Sequence, residues 1–238
     1  GLMFLLFGIW GLVQARRDSR FLLLTAFTFS LANYSYITYK FVAPILFAIF
    51  LFVYRKSIKW KMASLAILIF ATTSLPAFTS FAGISGGNRI ESLLKISQEQ
   101  TGYHPFVRLT ANYLAYFSPR NLFFRPDPVR HRHFLELSTF YPILLIPFAV
   151  GAYLLFKKRK GELSGWLFAL LLVAPVPAAI AADPFATLRA IPLLPAYAVV
   201  IGMGLVWFFD KFPRWRFVLA TVLILLGSVQ VYTALMVM

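Results

Sequence analysis

Three places in this sequence carry side chains whose types and spacing suit chemistry on an anionic ligand. The densest is Arg125-Pro-Asp127-Pro-Val-Arg130-His131-Arg132-His133. Guanidinium groups match phosphate oxygens with paired donors, and the two prolines limit the freedom of the loop. The stretch therefore reads as an anion-binding segment, with a solvated flank to the next apolar run as the plainer alternative. The second place is Arg189, lodged between two strongly apolar runs with Asp183 as its local partner. A charge there is costly unless it is paired or reaches outward, so the two form either a salt bridge or part of a ligand site. Lys40 is the third, closing the run Tyr34-Ser-Tyr36-Ile-Thr-Tyr39-Lys40. Its tyrosines can line a groove or sit as an interfacial aromatic belt. His131, His133 and Asp127 are a weak metal set, and no metal is expected. The sequence has no phosphate-cradling glycine loop and no nucleophile elbow. It has no cysteine, which removes disulfides and thiol chemistry.

The elements that must position these residues are set by composition. Of 238 residues, 60% are hydrophobic, 18% aromatic and only 13% charged. Soluble domains carry about 25% charged residues, so the excess apolar surface excludes that class and points to a bilayer. Apolar runs read as spans at Phe21–Ile37, Phe41–Tyr54, Met62–Phe81, Phe140–Phe156, Leu163–Ala182, Ala190–Phe209 and Phe217–Met238. A shorter run from Leu2 to Val13 precedes them and is expected to be the end of a helix that begins upstream. The fold class expected is all-α: a polytopic transmembrane bundle of about eight spans, forming a single domain over 1–238.

The net charge of +15 invites a nucleic-acid reading, but the cations alternate by loop. Arg16, Arg17 and Arg20, then Arg55, Lys56, Lys59 and Lys61, then Lys157, Lys158, Arg159 and Lys160, then Lys211, Arg214 and Arg216 are separated by even numbers of spans. The positive-inside rule makes that side cytoplasmic and leaves no nucleic acid to explain. The chain is thus expected in a plasma membrane, the prokaryotic inner membrane, in contact with anionic lipid. Residues 82–139 form a long outer loop. Asn88 with Glu91 resembles a capping box, and Phe106, Leu109, Tyr113, Leu114 and Phe117 form an apolar stripe, so two short amphipathic helices are expected there.

Three stretches taken together resemble one family. They are Tyr34 to Lys40 leading to Pro44; Asn112-Tyr-Leu-Ala-Tyr-Phe-Ser-Pro-Arg-Asn-Leu-Phe-Phe-Arg-Pro-Asp127 with Arg130-His131; and Pro175-Val-Pro177 through Asp183 to Leu188-Arg189-Ala190 and Pro195. Their order is similar to that of the GT-C superfamily of membrane glycosyltransferases, in glycosyltransferase family 39, the branch of protein O-mannosyltransferases and aminoarabinose transferases. The resemblance implies transfer of a sugar from a polyprenyl-phosphate donor to an acceptor hydroxyl on the outer face. Lys40, Arg125, Asp127, Arg130, His131, Asp183, Arg189, Tyr36 and Tyr39 would then be the substrate-binding residues. It also implies a catalytic Asp upstream of Gly1, so this chain is not expected to act alone. No cofactor is expected beyond the lipid-linked donor, and the need for a divalent ion is left open. Two rivals from other classes are a transporter or flippase for a lipid-linked anion, and a non-catalytic membrane subunit.

Overall fold

The computed structural model describes residues 1–82, 105–128, 138–158, 161–180 and 185–237, and among them there are helices and turns but no strand. The sequence reads as one domain; the contacts instead cluster in two units, Gly1–Phe117 with Gly165–Leu194, and Ser118–Ser164 with Pro195–Met238.

In the first unit, α1 (Leu2–Ala15) and α2 (Phe21–Ser35) form an antiparallel hairpin. Gly8 lies under the ring of Phe29, and the Thr25 hydroxyl donates to the Gly8 carbonyl at 3.2 Å. A side chain at residue 8 would displace that ring, so a glycine here sets how closely the two helices approach. After a turn at 36–38 come α3 (Tyr39–Val53) and α4 (Trp60–Ala82). Pro44 and Pro76 lie inside them and supply no N–H to the carbonyls of residues 40 and 72. Past residues 83–104, where the Asn88 capping box falls outside the described chain, α5 covers Pro105–Ala115. This unit resumes with α8 (Glu162–Val173), α9 (Val176–Ala179) and the 3-10 turn Thr187–Leu193. The expected span Leu163–Ala182 is therefore interrupted after Val173. Pro175 and Pro177 withhold two successive donors from that turn, which is why one helix does not continue through it.

The cationic loops of this unit gather at one end. The Arg16 guanidinium lies 5.0 Å from the centroid of the Tyr54 ring, and Tyr54 stacks on Trp166 near the start of α8 at 6.3 Å. At the opposite end Lys40 Nζ donates to the Ala77 carbonyl at 2.7 Å, and the Thr38 hydroxyl donates to the Arg189 carbonyl at 3.0 Å. Arg16 and Lys40 thus lie toward opposite ends of α3.

Between α2 and α4 the contacts are polar. Asn33 Nδ2 donates to Ser74 Oγ at 3.0 Å, Ser74 Oγ to Ser30 Oγ at 3.1 Å, and Thr73 Oγ1 to Ser30 Oγ at 2.7 Å. Ser30, Asn33 and Ser74 are at most 1% exposed. Ser74→Ala would leave the Asn33 amide with no partner at either end, since its Oδ1 already meets no donor. We expect a loss of about 1–2 kcal/mol, read as a lowered thermal midpoint in detergent. Thr72→Ala should not move it, because that exposed hydroxyl bonds only to its own helix.

The second unit contains α6 (Pro119–Phe123), the 3-10 turn Pro142–Leu144, α7 (Leu145–Lys157), α10 (Leu194–Lys211, joining this unit at Pro195) and α11 (Arg216–Val237). Phe123, Phe140, Phe148 and Tyr197 form a ring cluster with centroids 5.5–5.9 Å apart. Gly151 of α7 faces the Val200 carbonyl of α10, and Gly204 faces that of Pro147.

Burial is the reverse of a water-soluble core in many places. Phe52, Trp60, Leu68, Phe106, Tyr153 and Phe217 are largely exposed while Thr25, Ser30, Asn33, Thr38 and Ser74 are buried. Two stretches, Trp60–Thr79 and Thr187–Lys211, are long and apolar enough to cross a membrane. Other apolar helices among the described residues are shorter; α2 and α3, at 15 residues each, extend only about 22 Å. Eight full-length spans are thus more than these helices amount to singly.

Candidate functional site

At the end of the first unit away from the basic loops, the turn before α3 presents Thr38, Tyr39 and Lys40. Thr38 is 1% exposed and Tyr39 is 4% exposed, so both side chains face inward, while Tyr36 remains exposed. Tyr34 is exposed as a residue, yet its hydroxyl donates to the Thr73 carbonyl at 2.7 Å. Of the three tyrosines, Tyr36 is thus the one left to meet a ligand or an interface, and Tyr39 serves packing.

Lys40 and Arg189 are brought to neighbouring turns by the Thr38–Arg189 hydrogen bond, across 151 positions of sequence. Both side chains are half-buried. The Lys40 ammonium reaches the carbonyl of Ala77 near the end of α4, where the helix dipole is negative. That contact holds the cation at the end of the unit.

The segment leading to Arg189 is clamped from α5. Asn112, 5% exposed, donates from Nδ2 to the Ala179 carbonyl at 3.2 Å. The Tyr116 hydroxyl accepts from the Ala186 N–H at 3.0 Å, and its ring packs on Phe185 at 5.3 Å. Tyr113 donates to the Leu172 carbonyl at 3.0 Å, and burial pushes its phenol pKa up, so it stays a donor at neutral pH. Asp183 itself lies outside the described residues, but Ala179 and Ala186 on either side of it are both held. Of the apolar stripe expected on this helix, Phe106, Leu109 and Leu114 are exposed, and the polar Asn112 is inside.

The remaining candidates belong to the second unit. Asp127 is 3% exposed, and Arg125 is exposed. Arg130, His131 and His133 lie outside the described residues. The chain on either side of them is tied together: Phe140 N–H donates to the Leu122 carbonyl at 2.9 Å, and Ser138 Oγ donates to the Phe123 carbonyl at 3.0 Å. Among the described residues no three imidazoles or carboxylates cluster as metal ligands do. A cavity of about 380 Å³ in this unit is walled by side chains such as Ile143, Ile146, Phe208, Phe212 and Trp215, and none of the candidates lines it.

Sequence reasoning assigned no role to Thr38, Asn112 or Tyr116. Thr38, Asn112 and Tyr116 all stand inside stretches on which the family resemblance rests, which is the one signal that could have found them. No family model, curated protein or solved structure matches the chain.

Proposed function

We propose that the chain forms a bundle of about eight spans belonging to a polytopic membrane glycosyltransferase, with its basic loops cytoplasmic and its Lys40–Arg189 end facing outward. The donor is a sugar on a polyprenyl phosphate and the acceptor is a hydroxyl. The observation that carries the reading is the Thr38–Arg189 hydrogen bond. It sets two cationic residues on adjoining turns, opposite the end that collects Arg16 and the α3–α4 loop.

In this reading the acceptor oxygen attacks the anomeric carbon as the bond to the phosphate oxygen breaks, with inversion. The hydroxyl proton passes to a carboxylate supplied from outside these 238 residues. The departing phosphate gains charge, which Lys40 and Arg189 stabilise more in the transition state than in the bound donor. Asn112 and Tyr116 are positioning residues that hold the approach to Arg189. Short helices such as α2 and α3 suit this role, because non-spanning backbone at membrane depth is tolerated where it is buried in protein or lines a cavity.

The membrane half is tested by labelling. The native chain has no cysteine, so Ser35→Cys and Ser57→Cys, both exposed positions, each give a single thiol. In sealed vesicles of known orientation an impermeant maleimide should label residue 57 only from the cytoplasmic side and residue 35 only from the other. Labelling of both from one side would sink the topology. The transferase half is tested by neutralising the cations of the outer end.

A further inference from the structure

The two basic loops that meet at the cytoplasmic end of the first unit form more than a diffuse charge. Arg16 lies over the Tyr54 ring at 5.0 Å, and Arg55 lies over the Phe52 ring at the same distance. A cation over an aromatic face is attracted by the ring quadrupole, which holds the exposed Arg55 at the wall of an adjoining hollow. Residues Phe52, Val53, Tyr54, Arg55, Lys56 and Ser57 wall an open hollow of about 360 Å³. The Tyr54 carbonyl at the end of α3 would repel an anion, but it already accepts from the Ser57 and Ile58 N–H groups and from Ser57 Oγ.

The local charge balance points to an anionic ligand. In the two loops Arg16, Arg17, Arg20, Arg55, Lys56, Lys59 and Lys61 face a single acid, Asp18, whose carboxylate caps the Arg20 N–H at 2.9 Å. Beside the cations Phe52 and Val53 are 69% and 59% exposed, an apolar flank that a free phosphate would not use.

We infer that this hollow binds the phosphodiester of an anionic phospholipid, with Arg55 and Lys56 at the headgroup and an acyl chain along Phe52 and Val53. The site rests on the membrane-spanning part of the proposed function and is independent of the transferase part. It lies at the other end of the unit from Lys40 and Arg189, so it is a lipid anchor and not a donor subsite.

The test places the whole chain in nanodiscs of phosphatidylcholine containing some phosphatidylglycerol and counts co-purifying lipid by native mass spectrometry. The variant Arg55→Gln/Lys56→Gln should weaken phosphatidylglycerol retention about thirty-fold. Lys157→Gln/Lys158→Gln, which removes the same charge from exposed positions of the second unit, should leave it unchanged. Equal loss in both would overturn the site and leave the topology standing, since a diffuse field would explain it. Displacement of the lipid by inorganic phosphate would overturn the lipid assignment in favour of a free-phosphate site. A chain that does not remain in the bilayer would overturn both this site and the membrane reading.

Discussion

On the transferase reading, Arg189→Ala is expected to lower the turnover of polyprenyl-phosphate sugar by about 10²–10³-fold, the usual cost of deleting one group aimed at developing charge. The loss falls mainly on kcat, because the cation is needed most as the phosphate departs; KM for the donor changes by less. Lys40→Met behaves in the same way, and Lys40→Arg recovers most of the activity, since it keeps the charge. Arg130→Ala gives the third loss of this kind. A purely structural role has a different signature. If Lys40 does no more than hold the end of α4 through Ala77, Lys40→Met lowers the thermal midpoint and leaves kcat per folded enzyme untouched. Transfer unchanged by both Arg130→Ala and Arg189→Ala would leave a charged membrane subunit in place of a transferase.

The positions of these cations were legible in the sequence to different depths. That Lys40 and Arg189 belong to one end, and Arg16 and Arg55 to the other, follows from counting spans between charged loops. That the carbonyl of Arg189 is held by Thr38 could not be read, because a hydroxyl that pairs with a carbonyl 151 residues away leaves no period in either segment. The same holds for Asn112 and the Ala179 carbonyl. Periodicity located α5 but left open which of its faces packs against the unit. An apolar stripe is ordinarily the packed side, whereas here the helix buries Asn112 and Tyr116 and turns Phe106, Leu109 and Leu114 outward. In a bilayer that orientation is reasonable, since lipid is as apolar as a core and interior polar groups find partners in neighbouring helices. The break after Val173 was missed for a simpler reason. Hydropathy continues smoothly through Ala174-Pro175-Val176-Pro177, and only the missing proline donors end the helix.

Gly151→Val and Gly204→Val are expected to be the most damaging substitutions for the fold itself. A Cβ at residue 151 would overlap the Val200 carbonyl, and one at residue 204 would overlap that of Pro147. Both obstacles are backbone, so no rotamer relieves them and α7 must move off α10. The comparison with Gly8 is instructive: there an added Cβ meets only the Phe29 ring, a side chain that can shift. Overpacking that a side chain can absorb costs about 1–3 kcal/mol, and a displaced helix pair costs more. Either valine should therefore lose most of the monodisperse peak in detergent and lower the thermal midpoint further than Gly8→Ala does. Gly165→Ala and Gly202→Ala are the controls, because nothing lies within 4 Å of an added Cβ at either position. Alanine is the better helix former by about 1 kcal/mol, so both controls should be neutral or slightly stabilising. Tolerance of valine at 151 and 204 would mean that α7 and α10 do not approach through these glycines. The second unit would then need another means of bringing Phe148 to Tyr197.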